Sequence, residues 1–199
     1  MTLPVILLAA GCSRRFGDAD KRLARISPSE TLLEASLTPF SDRSIHLALR
    51  LSDRGAPWLD ALCARFPTVQ PVFCTRSEQG MGATLSEALS RSEAKLDKDA
   101  VLVALGDMPS LTPEVVERVE ASAGALNIVR PWLLRSNGAG LPGHPVAWGR
   151  AFWPALKGLT GDNAGKCVIA AHPEVLVRLE MSDPRACHDV DRPDALRRY

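Results

Sequence analysis

Ala100-Val101-Leu102-Val103-Ala104-Leu105 constrains this chain more than any other stretch. A strand with no polar position has no face to show to water, so helices must cover it on both sides. Leu3-Pro4-Val5-Ile6-Leu7-Leu8 repeats the pattern near the N-terminus and reads as the buried first strand of a parallel sheet. Further strand-like segments cover Ile45–Leu51, Val69–Cys74, Asn127–Arg130 and Val175–Glu180. Between them lie helical stretches: Thr31–Leu37, ended before Pro39; Pro57–Phe66, stopped by Pro67; the run after Gly80 and Gly82 through Arg91; and Glu114–Ser122. Strands alternating with helices predict a three-layer α/β/α sandwich with a mostly parallel sheet. At 199 residues and 46% hydrophobic content, one domain over residues 1–199 is expected.

Composition removes several classes of function. The net charge is +1 and aromatic residues make up 5%, so neither a basic field nor a stacking platform for nucleic acid is expected. No apolar run reaches the ~20 residues of a membrane span. Leu7-Leu8-Ala9-Ala10-Gly11-Cys12 looks like a lipoprotein cleavage box, but no basic segment precedes it, Pro4 interrupts it and the apolar stretch is short. The five cysteines (Cys12, Cys63, Cys74, Cys167, Cys187) form no C-x-x-C pair, and the four histidines are scattered, which argues against zinc. A reduced, cytoplasmic protein is expected, with most thiols serving as small core residues.

The chemistry is concentrated after the first strand, in Leu8-Ala9-Ala10-Gly11-Cys12-Ser13-Arg14-Arg15-Phe16-Gly17, closing on Lys21. Small residues let backbone N–H groups approach a ligand. Arg14, Arg15, Lys21, Arg22 and Arg25 would suit a di- or triphosphate. The same composition also describes an ordinary strand-to-helix turn with solvated arginines. It is neither a Walker A loop, since Asp18 follows Gly17, nor a G-x-G-x-x-G fingerprint.

The second concentration is Gly106-Asp107-Met108-Pro109, at the exit of the most strand-like run. Ligands bind at the carboxyl ends of strands in open α/β sheets. A carboxylate there would repel a polyphosphate unless a cation sat between them, and Mg²⁺ is the hard cation that carboxylates and phosphates share. Asp107 is not needed as a helix cap, because Thr112 before Pro113 is the better candidate. Gly80 and Gly82 in Gly80-Met81-Gly82-Ala83-Thr84-Leu85 mark a helix start that could serve an anion or could be only a turn.

Taken together these segments resemble the MobA-like nucleotidyltransferases, enzymes that attach a nucleotide to molybdopterin. The pattern L-A-A-G-x-S-x-R-[MF]-G is met by Leu8, Ala9, Ala10, Gly11, Ser13, Arg15, Phe16 and Gly17, with Lys21 slightly later than usual. G-D-[MQ]-P is met at Gly106–Pro109 and G-H-P-V at Gly143–Val146, and Asp189–Asp194 follows D-[VI]-D-x-P-x-D except that Asp194 comes directly after Pro193. Gly161-Asp162-Asn163-Ala164-Gly165-Lys166 follows L-x-G-D-x-G-A-[RK] with its glycine displaced by one.

The resemblance implies a Rossmann-like sheet of the nucleotide-diphospho-sugar transferase type, with an antiparallel excursion late in the chain. It implies NTP binding by Leu8, Ala9, Ala10, Gly11, Cys12, Ser13, Arg14, Arg15, Lys21, Gly80, Gly82 and Asp107. Catalysis would rest on Arg15, Lys21 and Asp107. Mg²⁺ would sit on Asp107 and Asp191, with Asp189 an alternative to Asp191. His144 and Lys166 would face the acceptor, although a lone loop histidine is more often structural. Nucleotidyl transfer from CTP, or else GTP, to the phosphate of molybdopterin is implied, with a recipient molybdoenzyme or its chaperone as a further partner. A sugar-phosphate or isoprenoid-precursor nucleotidyltransferase, and a non-catalytic cofactor-delivery module, are the alternatives.

Overall fold

The computed structural model describes residues 2–11, 16, 19–134, 140–190 and 195. In chain order the elements are β1 (Val5–Leu8), a 3-10 turn (Lys21–Leu23), β2 (Arg25–Ser27), β3 (Glu30–Thr31) and α1 (Leu32–Leu37). Next come β4 (Ile45–Arg50), α2 (Pro57–Arg65), β5 (Val69–Cys74), α3 (Met81–Ser92), β6 (Ala100–Leu105) and α4 (Pro113–Ala121). The later part holds β7 (Ile128–Leu134), β8 (Gly140–Pro142), β9 (Val146–Gly149), α5 (Trp153–Lys157), α6 (Lys166–Ala171) and β10 (Leu176–Met181). None of the described helices is long and apolar enough to cross a membrane.

The main sheet runs β10-β7-β9-β6-β1-β4-β5, with β8 added to β7. Strands β6, β1, β4 and β5 are parallel neighbours, and β10 is parallel to β7. β9 runs against both β6 and β7, which is the antiparallel excursion expected above. The apolar runs are buried on both faces, as their composition requires. Val5 and Leu7 enter the core under Leu33 and Leu37 of α1, Leu59 and Leu62 of α2, and Val115 and Val119 of α4. Ile6 and Leu8 enter the other, with Leu85 and Leu89 of α3 and Leu156 of α5. This period of two through a fully apolar strand makes the three layers, each buried Leu, Val or Ile contributing roughly 1.5–3 kcal/mol.

Local chemistry sets the element ends. Thr31 Oγ1 accepts from the Glu34 backbone N–H at 3.3 Å, while Glu34 accepts from the Thr31 N–H at 2.7 Å, a reciprocal cap that starts α1. Thr112 stands at the cap position of α4 with Pro113 at N1, but its side chain makes no capping bond. The strand expected to stop at Arg130 continues to Leu134. Pro131 is tolerated because its residue falls after pairing with β9 ends at Val129 and before pairing with β8 begins at Trp132. The β2–β3 ribbon, β8 and β9 were not expected as strands. β2–β3 is only partly buried and polar, and β9 is four residues long, so neither shows a usable period.

Candidate active site

β1 and β6 end level with each other, Leu8 opposite Leu105, and the Gly106 N–H donates to the Leu8 carbonyl at 3.0 Å. Space is tight at Gly106: a Cβ would lie 3.1 Å from both the Ala9 Cβ and a Leu33 methyl, and 3.2 Å from Leu7. Glycine lets the turn after β6 close on the turn after β1 without moving these neighbours. Asp107 is thereby carried to the first loop, where its Oδ2 accepts from Lys21 Nζ at 2.8 Å. Lys21 is buried and Asp107 half-buried, so the pair is shielded from bulk water.

The cleft around this pair has a volume of about 340 Å³. Its first-loop side is Leu8, Ala9, Ala10, Gly11 and Lys21, and its floor is Leu105, Gly106 and Asp107. The facing wall is Ser77–Met81 with Thr84 and Asp162. Of the expected site residues, Leu8, Ala9, Ala10, Gly11, Lys21, Gly80 and Asp107 therefore share one cavity. Cys12, Ser13, Arg14, Arg15 and Asp191 lie outside the described residues. The chain does return to the metal-side turn from its far end: the Val190 N–H donates to the Asp107 carbonyl at 2.9 Å, and Val190 packs with Phe16 and Leu32.

Gly82 is set back from the cleft. The amides of Gly82 and Ala83 donate to the Gly161 carbonyl, and a Cβ on Gly82 would lie 2.7 Å from the Asn163 carbonyl. Gly80 adopts φ +115°, and a Cβ there would fall 2.6 Å from Gly161 backbone and from Asp162 Oδ1. Asp162 Oδ1 in turn accepts from the Met81 N–H at 3.1 Å. The two glycines thus dock the 161–163 loop onto the start of α3. Glu87 fixes the same wall from within α3, accepting from Thr75 Oγ1 at 3.0 Å, the Arg76 N–H at 2.9 Å and Arg91 at 2.7 Å. Burial alone would raise its pKa; these donors outweigh burial and hold the carboxyl at about 2.

His144 and Lys166 are not brought to this cavity. His144 Nδ1 lies 3.4 Å from the Val103 carbonyl, and burial, with Arg130 beside it, pushes the ring down to about 4. Lys166 is exposed at the first position of α6.

Sequence reasoning grouped Arg22 with the phosphate-facing cations; Arg22 does line the cleft, but its guanidinium is taken up by protein partners. Arg22 is buried and donates to Asp53 at 2.7 and 2.8 Å, to Asp20 at 2.6 and 2.9 Å and to the Ala9 carbonyl at 3.0 Å, while stacking 5.0 Å over the Trp58 ring. Arg50 closes the network on Asp20 at 2.7 Å. Burial works against both signs of charge here, but the mutual pairing wins, raising the Arg22 pKa and lowering those of Asp20 and Asp53. This clamp holds the residue next to Lys21 and the backbone at the exit of β1. Its signal, Asp20-Lys21-Arg22, was visible in the sequence; its partner Asp53 was not, being 31 residues away.

The donor set suits a hard cation. Asp107 offers carboxylate oxygen to the cleft, and no group of three or more His, Cys, Asp or Glu that could hold a metal ion occurs among the described residues. Mg²⁺ is characteristically held by one or two carboxylates plus substrate phosphates rather than by an all-protein cage.

Comparison with known proteins finds the same fold elsewhere. Rv0371c of Mycobacterium tuberculosis H37Rv, whose complex with manganese has also been solved, is 23% identical, with 100% of this chain and 97% of that one covered and a TM-score of 0.77. The molybdopterin-guanine dinucleotide biosynthesis protein A of Archaeoglobus fulgidus is 18% identical over 98% of this chain and 96% of that one, with a TM-score of 0.64. The 4-diphosphocytidyl-2C-methyl-D-erythritol synthase of Anaerococcus prevotii DSM 20548 is 12% identical over 98% and 92%, with a TM-score of 0.73. At these identities the likeness establishes the shared fold. No curated protein sequence matches the chain. The model of the MobA-like NTP transferase domain matches residues 5–175, and with that match the chain belongs to this family of nucleotidyltransferases.

Proposed function

We propose that this nucleotidyltransferase joins an NTP, CTP in preference to GTP, to the terminal phosphate of molybdopterin, releasing pyrophosphate. The observation that supports this most is the 2.8 Å Lys21–Asp107 pair, which sets a cation and a metal-type carboxylate in one cleft beside a turn of small residues. An acceptor phosphate oxygen forms a bond to the α-phosphorus, and the bond from that phosphorus to the β-bridging oxygen breaks, its electron pair leaving with pyrophosphate. The acceptor is already an anion, so no strong general base is needed. His144, held neutral and away from the cleft, has no proton-transfer role.

Lys21 and Arg15 hold the β/γ end of the triphosphate, and the amides from Ala10 to Ser13 cradle it. Asp107 and Asp191 would hold Mg²⁺, which when bound neutralises phosphate charge and stabilises the leaving group. The N-terminal half binds the nucleotide and the C-terminal half receives the acceptor. The product passes to a recipient molybdoenzyme or its chaperone. The likeness to a molybdopterin-guanine dinucleotide biosynthesis protein favours the pterin acceptor, and that to a 4-diphosphocytidyl-2C-methyl-D-erythritol synthase keeps a small-molecule phosphate as the rival.

The test is pyrophosphate release from CTP and GTP in turn, with purified molybdopterin and Mg²⁺, against parallel reactions with sugar and polyol phosphates. Release with molybdopterin, faster with CTP, is expected. Release only with a polyol or sugar phosphate would transfer the assignment to the rival, and nucleotide binding without release would make the chain a delivery module.

A further inference from the structure

On the α3 face of the sheet, by its free edge at β5, lies a second cavity of about 210 Å³, sharing no lining residue with the cleft. His46 of β4 and Ser92, the last residue of α3, line it, and both side chains are buried, at 1% and 0% exposure. His46 Nε2 and Ser92 Oγ are buried polar atoms with no hydrogen-bond partner in the structure. Leaving two such atoms unsatisfied is costly, so the cavity calls for something polar inside it. The remaining walls state the sign of the charge. Arg54, Arg91 and Lys95 line the cavity together with Gln70, Pro71, Val72 and Phe73, and no acidic side chain is among them.

The cations are held in place. Arg54 lies 4.9 Å over the Phe73 ring, Lys95 Nζ donates to Gln70 Oε1 at 3.0 Å, and Arg91 is anchored on Glu87 at 2.7 Å. Glu87 takes up much of the Arg91 charge, and the C-terminal end of α3 adds partial negative charge, leaving Arg54 and Lys95 as the main attraction. The donors come from three separate elements: β4, the turn after it, and the end of α3 with the turn that follows. A tetrahedral oxyanion can meet such an array, whereas a planar carboxylate meets a single fork better. We propose that this cavity binds a phosphate group, free or as a monoester, at a site separate from the nucleotide cleft. Burial, then Lys95, lowers the His46 pKa, so the ring is neutral and an anion would select the tautomer with the proton on Nε2. The proposal does not depend on which acceptor the cleft serves.

The His46 ring is the reporter, followed by NMR of the full chain during titration with inorganic phosphate and, separately, glycerol phosphate. Lys21→Ala removes cleft binding as a source of the signal. In that background, saturable movement of the His46 resonance at millimolar phosphate is expected. Combined Arg54→Ala and Lys95→Ala should weaken it by about tenfold or more, the scale of losing charge-assisted contacts. Ser92→Ala, a small change in a buried place, should also weaken it, with melting curves confirming the fold. Tighter binding of glycerol phosphate would identify an ester as the occupant, and equal or weaker binding the free ion. A His46 signal indifferent to both anions would overturn the proposal and leave the cavity to water. So would a signal that responds but is insensitive to the Arg54 and Lys95 changes.

Discussion

Lys21 and Asp107 come from turns 86 residues apart, yet their side chains meet at 2.8 Å. Neither is needed to cap a helix: Asp107 makes no cap for α4, and Asp20 caps the turn that Lys21 opens. The proposed function gives the pair a role at the triphosphate. Lys21→Ala and Asp107→Asn are each expected to lower turnover by about 100-fold or more, the scale of lost electrostatic stabilisation. Steady-state pyrophosphate release checks this, and near-normal turnover in either variant would remove that residue from the mechanism. Arg22, next in the chain, should behave in the opposite way. Arg22→Ala leaves the buried Asp53 carboxylate without its bidentate partner and should cost roughly 3–5 kcal/mol of stability. Pyrophosphate release and urea denaturation of Lys21→Ala and Arg22→Ala, side by side, separate a ligand-binding cation from a structural one. The sequence offers five cations in this stretch and no local means of sorting them. The sorting is done by Asp53 and Trp58, which arrive only when β4 and α2 pack against β1.

At the scale of elements, strand and helix identity was legible wherever burial was uniform. Ala100–Leu105 has the bounds its composition implies, since a fully apolar run between breakers leaves few choices, and Val69–Cys74 keeps its expected bounds despite Gln70 and Pro71 within it. β9 was hidden because four buried residues after Gly-His-Pro carry no period and their direction is set by β6 and β7 on either side. Gly80 and Gly82 were legible as a helix start, but their reason was not. They face the 161–163 loop, which no local pattern announces. Gly80→Ala places a methyl 2.6 Å from that loop's backbone at φ +115°, and it should destabilise the protein by at least about 2 kcal/mol. Loss of roughly 4 °C or more in a thermal melt, with a raised KM for the NTP, is the expected outcome.

At the scale of the whole molecule, two buried histidines on different strands and loops couple folding to pH. Burial lowers the pKa of His46, and burial with Arg130 brings His144 to about 4. The unfolded chain takes up these protons near the ordinary value of 6.5, before the folded one does. Stability is accordingly full above about pH 6.5 and falls as pH is lowered toward 4, by about 2–3 kcal/mol for His144 alone. Denaturant titrations at pH 7 and 4.5 check this, and His144→Gln should flatten the difference. The cleft, too, is a property of the whole chain. Val190 seals the hydrophobic plug formed with Phe16 and Leu32 and bonds the backbone of Asp107. A chain emerging from the ribosome can pair β1, β4, β5 and β6 while residue 190 is still in the exit tunnel. Such a nascent chain would own β1, β4, β5 and β6 and still lack the Val190 latch on the Asp107 turn, so that turn is fixed only once residue 190 has cleared the tunnel.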